Sequence, residues 1–375
     1  MTAAPDPAAP GRISLGVHGA RGLLAFGVLV YHVVNSGLPS WGLPPLVEEG
    51  LRSLKYGVEI FFAISGYVMA RSMQRARSPG RFLLNRATRI FPVLWTAVLV
   101  VVLLSLISQS RAPAALDPAS LVLLTLANLM ALPGVFDLPL FLPPAWTLSF
   151  EFAFYLLCFA YLALRQRWPG IGWALPLVVV GAVFALHHPR ALFFMCGLLV
   201  GSGRLPGGPV TAALSRAPGL MLLVFLGVWQ AAALPAAPFF EPVWSWSEPR
   251  LFVLAALAFA AATLSLNGIA AGQGWFAARF LQSRAMIWLG TISYSLYLWH
   301  PVVLAIVKAA MREAGLPAML GDWSQLVFFG IAAPISLLLG HLSQVWLERR
   351  LTERLRRGMT APPRVPPYAR ETVVK

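Results

Sequence analysis

Arg21 and His32 stand eleven residues apart in the stretch LGVHGARGLLAFGVLVYHVVNSG, and every residue between them is apolar, aromatic or small. Eleven residues is close to three helical turns, so on a helix both project from one face, about 16 Å apart along the axis. That separation forbids direct contact and assigns different chemistry to each. A guanidinium near a membrane surface can grip a phosphate or carboxylate through two parallel hydrogen bonds. An imidazole held in the apolar thickness can take and return a proton near neutral pH, and an ionisable group there is a functional candidate by default. The plainer alternative is that Arg21 sets orientation and His32 satisfies a carbonyl of a neighbouring helix.

Three more ionisable residues sit in apolar runs. Glu59 lies in the second, Glu151 near the start of the fourth, and His300 in the ninth; with His32 they are expected at similar depth in the outer half of the membrane. Placing a charged group at the centre of a spanning helix costs about 2.5 to 3.5 kcal/mol even on lenient scales. The four are therefore expected to share a polar cavity; pairwise hydrogen bonding between packed helices is the competing explanation. Ser293, Tyr297 and His300 follow one another at i, i+4 and i+7, one polar stripe on an apolar rod and a candidate acceptor or cavity wall. Pro301 disfavours helical geometry at the residue before it and predicts a kink at His300. At the opposite surface Arg86 and Arg89 open the third span at i, i+3 and could join Arg21 in binding a phosphorylated ligand, with topogenic charge as the alternative.

The elements that must position these groups follow from composition. Of 375 residues, 58% are hydrophobic and 11% charged, against about 25% charged in soluble domains. The chain reads as an all-α polytopic membrane protein. About ten transmembrane helices are expected: the first, then 56–73, 90–108, 146–164, 173–186, 191–200, 220–234, 251–266, 286–307 and 326–347. The apolar run 121–132 is too short to span and is expected to be re-entrant or interfacial. The net charge of +15 sits between apolar runs, not on a polar domain, which argues against a nucleic-acid partner and for positive-inside topology. The basic stretches 71–89, 204–216 and 279–284 and the tail then share the cytoplasmic side with both termini. Residues 1–14 are expected to be a short tail, 15–349 one membrane domain, and 350–375 a basic, Pro-rich tail. Gly197 and Gly201 have the spacing that lets helices approach closely. Cys158 and Cys196 offer neither a disulfide framework nor metal spacing, and no metal is expected.

Five stretches taken together carry a resemblance: R-x10-H at Arg21 and His32, GVEIFFAISGYVM at 57–69, RATRIFPVLW at 86–95, WTLSFEFAFYL at 146–156 and SYSLYLWHP at 293–301. In this order and spacing, over Arg12 to about Arg350, the chain resembles the membrane acyltransferase family 3, the integral-membrane O-acyltransferases of bacterial envelope polysaccharides. The sequence departs from that pattern where Glu59 replaces a common Asp, Phe152 follows Glu151 in place of a second acid, and Arg350 stands where the family's E-R/K-P ending at Glu348 has Pro.

The resemblance implies transfer of an acyl group, usually acetyl from acetyl-CoA, to a sugar hydroxyl in the bacterial cytoplasmic membrane. It makes Arg21 and His32 essential and gives Arg86 and Arg89 a supporting role, with acyl-CoA as co-substrate and a carbohydrate or lipid-linked sugar as acceptor among the membrane lipids. The physics is compatible. A pantetheine arm is comparable in length to the rise between Arg21 and His32, so arginines could hold the CoA phosphates while the thioester reaches the imidazole. His32 would then take the proton of the attacking hydroxyl, with Glu59 or Glu151 orienting it or holding the acceptor; an acyl-His intermediate is the other route. Two rival classes remain: a secondary transporter relaying protons through His32, Glu59 and Glu151, and a membrane scaffold that makes no bond.

Overall fold

The computed structural model describes residues 14–354 apart from 41, 110–111, 169–173 and 233–248. Within them lie fourteen α-helices, with no β-strand among the described residues. Helix α1 (Leu15–Val34) starts where the Ser14 hydroxyl accepts from the amide of Val17. It ends where Gln325 Nε2 donates to the carbonyls of Val33 and Val34, so both ends of the helix carrying Arg21 and His32 are satisfied. A short α2 (Pro45–Ser53) precedes α3 (Gly57–Arg75) and α4 (Pro79–Ser108).

Helix α4 begins eleven residues before the expected start at Ile90, because Ser78 caps it and Pro79 occupies its first position. Arg86 and Arg89 are therefore interior to it, and so is Pro92. Proline has no N–H to give, which strands the carbonyl of Thr88 four residues back. Thr352 Oγ1 donates to that carbonyl at 2.8 Å, tying the C-terminal helix to the break. Thr352→Val is expected to lower stability by about 0.5 to 1.5 kcal/mol, read as a fall in thermal unfolding temperature in detergent, since it removes this buried hydrogen bond.

Helix α5 (Pro118–Leu129), capped by Asp117, has twelve residues and cannot span. Its last carbonyl accepts from Trp95 Nε1 near the middle of α4 at 2.9 Å, so α5 descends only part way. Residues 130–145 then connect it to α6 (Trp146–Arg167). There follow α7 (Ala174–His187), α8 (Phe193–Ser202), α9 (Pro209–Ser215), α10 (Pro218–Ala231), α11 (Pro249–Ala270), α12 (Arg284–Glu313), α13 (Leu316–Leu320) and α14 (Ser324–Ser343). A π-helical turn, Gln344–Leu351, continues α14.

Among the described residues six helices are long and apolar enough to cross a membrane, or seven if α9 and α10, bent by 91°, form one broken span; the count of about ten is not reached on that measure. Shorter apolar helices at 118–129, 174–187 and 189–202 account for part of the difference. The N-terminal tail to residue 13, residues 355–375 and the segment with Trp244 and Trp246 lie outside the described residues.

Small residues set the packing. Gly19 and Gly22 of α1 lie against the backbone of Leu281 and Gly290, so α1 and α12 run side by side in the same direction. Gly66 of α3 meets Phe194 and Gly197 of α8 in the same way, and Gly268 of α11 meets Ser215. These contacts, with the bond from Thr352 to Thr88, gather the segments 71–89, 204–216, 279–284 and the chain after Ser343 at one end of the bundle. That basic end is the common side the charge pattern predicts.

Candidate functional site

His32 and His300 come together at the end of the bundle away from the basic segments. Their rings are 5.2 Å apart, with Tyr31 against His32 at 5.0 Å. Helix α12 runs unbroken through Pro301, so the kink expected at His300 does not interrupt it. His300 is 0% exposed, and its Nδ1 lies 3.1 Å from the carbonyl of Leu296. A carbonyl only accepts, so Nδ1 carries the hydrogen and Nε2 keeps a lone pair. Among the described residues no hydrogen-bond partner meets that Nε2. Beside the pair opens a cavity of about 570 Å³, lined deep by His32, Pro301, Leu304, Ala305 and Phe328.

Glu59 is 0% exposed and forms a centre of its own. Its Oε1 accepts from Trp229 Nε1 at 3.1 Å and pairs with Arg190 Nε at 3.4 Å, while Oε2 has no hydrogen-bond partner among the described residues. Arg190 also covers the ring of Trp146 at 5.4 Å. A buried carboxylate needs a cation and a donor, and this one has both. Arg190 was not singled out in the sequence because it follows His187, His188 and Pro189 in what reads as a loop.

Glu151 does not join the histidines. Ser65 Oγ donates to its Oε1 at 2.6 Å, and the hydroxyl of Tyr155 donates to the same oxygen. Ser65 is six residues beyond Glu59 on α3, about 9 Å nearer the basic end. The expectation that all four ionisable groups lie at one depth fails there, because α6 begins below the loop that covers it. Glu151 instead faces the arginines: Arg21 lies within electrostatic reach of Arg89, Glu151, Tyr155 and Glu348, and Tyr155 within reach of both Arg89 and Arg86. Among the described residues no carboxylate closes to ion-pair distance of Arg21 or Arg89, which leaves both guanidiniums free to take an anion. Glu348, held by Ser295 Oγ at 2.5 Å, completes this cluster. In the sequence it stands at the end of the membrane domain beside a basic tail, and nothing local reveals that it meets Ser295 of α12.

A line of polar side chains crosses the interval between the two clusters. Tyr297 is 5.9 Å from His300 ring to ring, and its hydroxyl is hydrogen-bonded to Thr147 Oγ1 at 3.2 Å. Thr147 is one turn from Glu151 on α6. Ser293 is apart from this line, since its hydroxyl is taken by the carbonyl of Gly290 at 2.9 Å. None of Arg21, Arg86 or Arg89 lines the cavity at His32. What joins the two ends in this conformation is the line of hydroxyls and rings. Among the described residues no group of His, Cys, Asp or Glu is disposed to hold a metal ion.

Comparison with known proteins matches the sequence to one family. The acyltransferase family 3 model, described as an acyltransferase domain, covers residues 14–342. The exopolysaccharide production protein ExoZ of Rhizobium meliloti (strain 1021) is 31% identical over 335 residues, 80% of this chain and 90% of that one. The acyltransferase MdmB of Streptomyces mycarofaciens is 25% identical over 270 residues, 66% of this chain and 67% of that one. No solved structure gives a significant match.

Proposed function

The chain belongs to the acyltransferase family 3, and from that premise we propose that it moves an acyl group, acetyl by expectation, from cytosolic acyl-CoA to a hydroxyl of an envelope polysaccharide or lipid-linked sugar. The observation that carries the reading is the pairing of His32 and His300 over a cavity at one end, with three arginines grouped towards the other. The basic end is assigned to the cytoplasm of a bacterial inner membrane by charge bias, which puts the cavity on the far side, where envelope glycans are assembled. A relative named for exopolysaccharide production supports a glycan acceptor.

In this reading Arg86, one turn nearer the surface than Arg89, meets the CoA phosphates first, with Arg89 and Arg21 deeper. The pantetheine arm follows the line of Thr147 and Tyr297 towards His32. The acceptor hydroxyl attacks the thioester carbonyl as its proton passes to the His32 imidazole; the C–S bond breaks, and the departing CoA sulfur takes that proton back. Glu59 and Arg190 hold Trp146 and Trp229 around this route.

Protein in nanodiscs, given labelled acetyl-CoA and a lipid-linked oligosaccharide, is expected to yield the labelled glycan and free CoA. Uptake of substrate without any acylated product would overturn the proposal and favour proton-coupled transport through His32, Glu59 and Glu151. Arg86→Ala with Arg89→Ala is expected to raise KM for acyl-CoA about tenfold or more and to raise KM for the acceptor far less, since two charge-assisted phosphate contacts are removed. Equal rises for both substrates would exclude a CoA-phosphate role for the pair.

A further inference from the structure

The cavity at His32 has a mouth whose charges the reaction does not use. Beyond Leu304 and Ala305 the same face of α12 presents Lys308 and then Arg312, with Glu313 beside them and Asn35 of α1 opposite. Lys308 Nζ donates to the carbonyl of Ser36 at 3.2 Å, which stations the ammonium at the wall and leaves two of its N–H groups. Arg312 is exposed at the opening. Two cations against one carboxylate leave the mouth one charge positive.

Topology does not explain that charge. Positive-inside bias concentrates Lys and Arg at the other end of the bundle, and Lys308 is one of three lysines in the whole chain. The helix dipole favours a cation in the last turn of α12, where Arg312 sits, but not at Lys308 more than a turn earlier and inside the cavity.

We propose that the cavity is a subsite for an anionic acceptor, with Lys308 and Arg312 gripping a phosphate or carboxylate of the glycan while its hydroxyl lies at His32. This rests on the acyltransferase reading of the same cavity. Lys308 is eight residues beyond His300 and Arg312 twelve, so the anion lies about 12 to 18 Å along α12 from the reacting hydroxyl. A single sugar ring does not bridge that distance, so the anion belongs to a different residue of the chain or to its lipid carrier. The intervening wall of Leu304, Ala305 and Ala309 is small and apolar, suited to the faces of sugar rings and unable to hold the anion itself.

The test uses the full-length protein in nanodiscs with three acceptors: a tetrasaccharide on a prenyl diphosphate, the same tetrasaccharide released and neutral, and a released tetrasaccharide with one uronic acid at its reducing end. Wild type is expected to favour an anionic acceptor over the neutral one by about tenfold in kcat/KM. Lys308→Gln with Arg312→Gln is expected to collapse that ratio towards one, Lys308→Arg to retain it, and added salt to shrink it in wild type. Preference for the diphosphate alone assigns the subsite to the lipid carrier; preference for the uronate as well assigns it to any anion at that reach. Transfer to all three acceptors with equal kcat/KM, or a ratio unmoved by the double variant, overturns the subsite and leaves the acyltransferase reading standing. If no acceptor is acylated, equilibrium binding of the uronic tetrasaccharide decides: weakening about tenfold in the double variant keeps the subsite while the enzymatic reading falls, and unchanged or absent binding removes both.

Discussion

His32→Ala is expected to lower acyl transfer by about 10²- to 10⁴-fold in kcat, with KM for acyl-CoA little changed, the range typical of losing a positioned general base. The reasoning is geometric. Of the ionisable residues marked in the sequence, only His32 lines the cavity, and the nearest ring that could replace it is His300 at 5.2 Å. His300 already spends Nδ1 on the carbonyl of Leu296 and is sealed from solvent. Its free Nε2 can hold the orientation of His32 or a water between the rings, but it has no open path to an acceptor hydroxyl. His300→Ala is therefore expected to lower kcat less than His32→Ala while shifting the pH profile of transfer. Initial rates with labelled acetyl-CoA over a range of pH check both variants. An unchanged kcat in His32→Ala would move the base elsewhere, and a larger loss in His300→Ala than in His32→Ala would exchange their roles.

How much of this was legible in the sequence depended on the range of the interaction. The spacing of Arg21 and His32 is a property of one helix, and because α1 is unbroken the two remain about 16 Å apart. The glycines at 197 and 201 announced a close approach by their spacing, and the basic segments gathered at one end as charge bias requires. What failed was depth and partnership. Glu151 follows a span-like pattern, yet its level is set by the segment from α5, which is held by Asn128 bonding to Pro139 and Phe141 and by Trp95 bonding to Leu129. Glu59 was visible as an acid in an apolar run, but its partners Arg190 and Trp229 are more than a hundred residues away. Pro301 was read by its local effect, as a kink at His300. In α4 and α12 the bundle holds the helix through its proline, and at Pro92 a hydroxyl from the chain's last described turn satisfies the stranded carbonyl.

Gly197→Ala is expected to cost about 3 kcal/mol or more, at the upper end of what overpacking does to a close-packed core. A methyl group built at Gly197 would stand 1.8 Å from the carbonyl oxygen of Ala63 and 2.3 Å from the amide nitrogen of Tyr67. Both are backbone atoms in the middle of α3, so no side chain can turn aside and the two helices must separate. Separation would carry function with it. Glu59 and Ser65 sit on α3, while Arg190 leads directly into α8, so the Glu59–Arg190 pair at 3.4 Å and the Ser65–Glu151 bond at 2.6 Å would both be strained. Gly227→Ala is the matched control: it too lies within a helix, but nothing stands within 4 Å of the new methyl group. There the gain in helix propensity is about 0.5 to 1 kcal/mol, so the control should be neutral or slightly stabilising. Thermal unfolding of the two purified variants in detergent, with size exclusion to confirm a monodisperse peak, separates the cases. Equal unfolding temperatures would mean that α3 and α8 can part without penalty, and the close glycine contact would then be no determinant of the site.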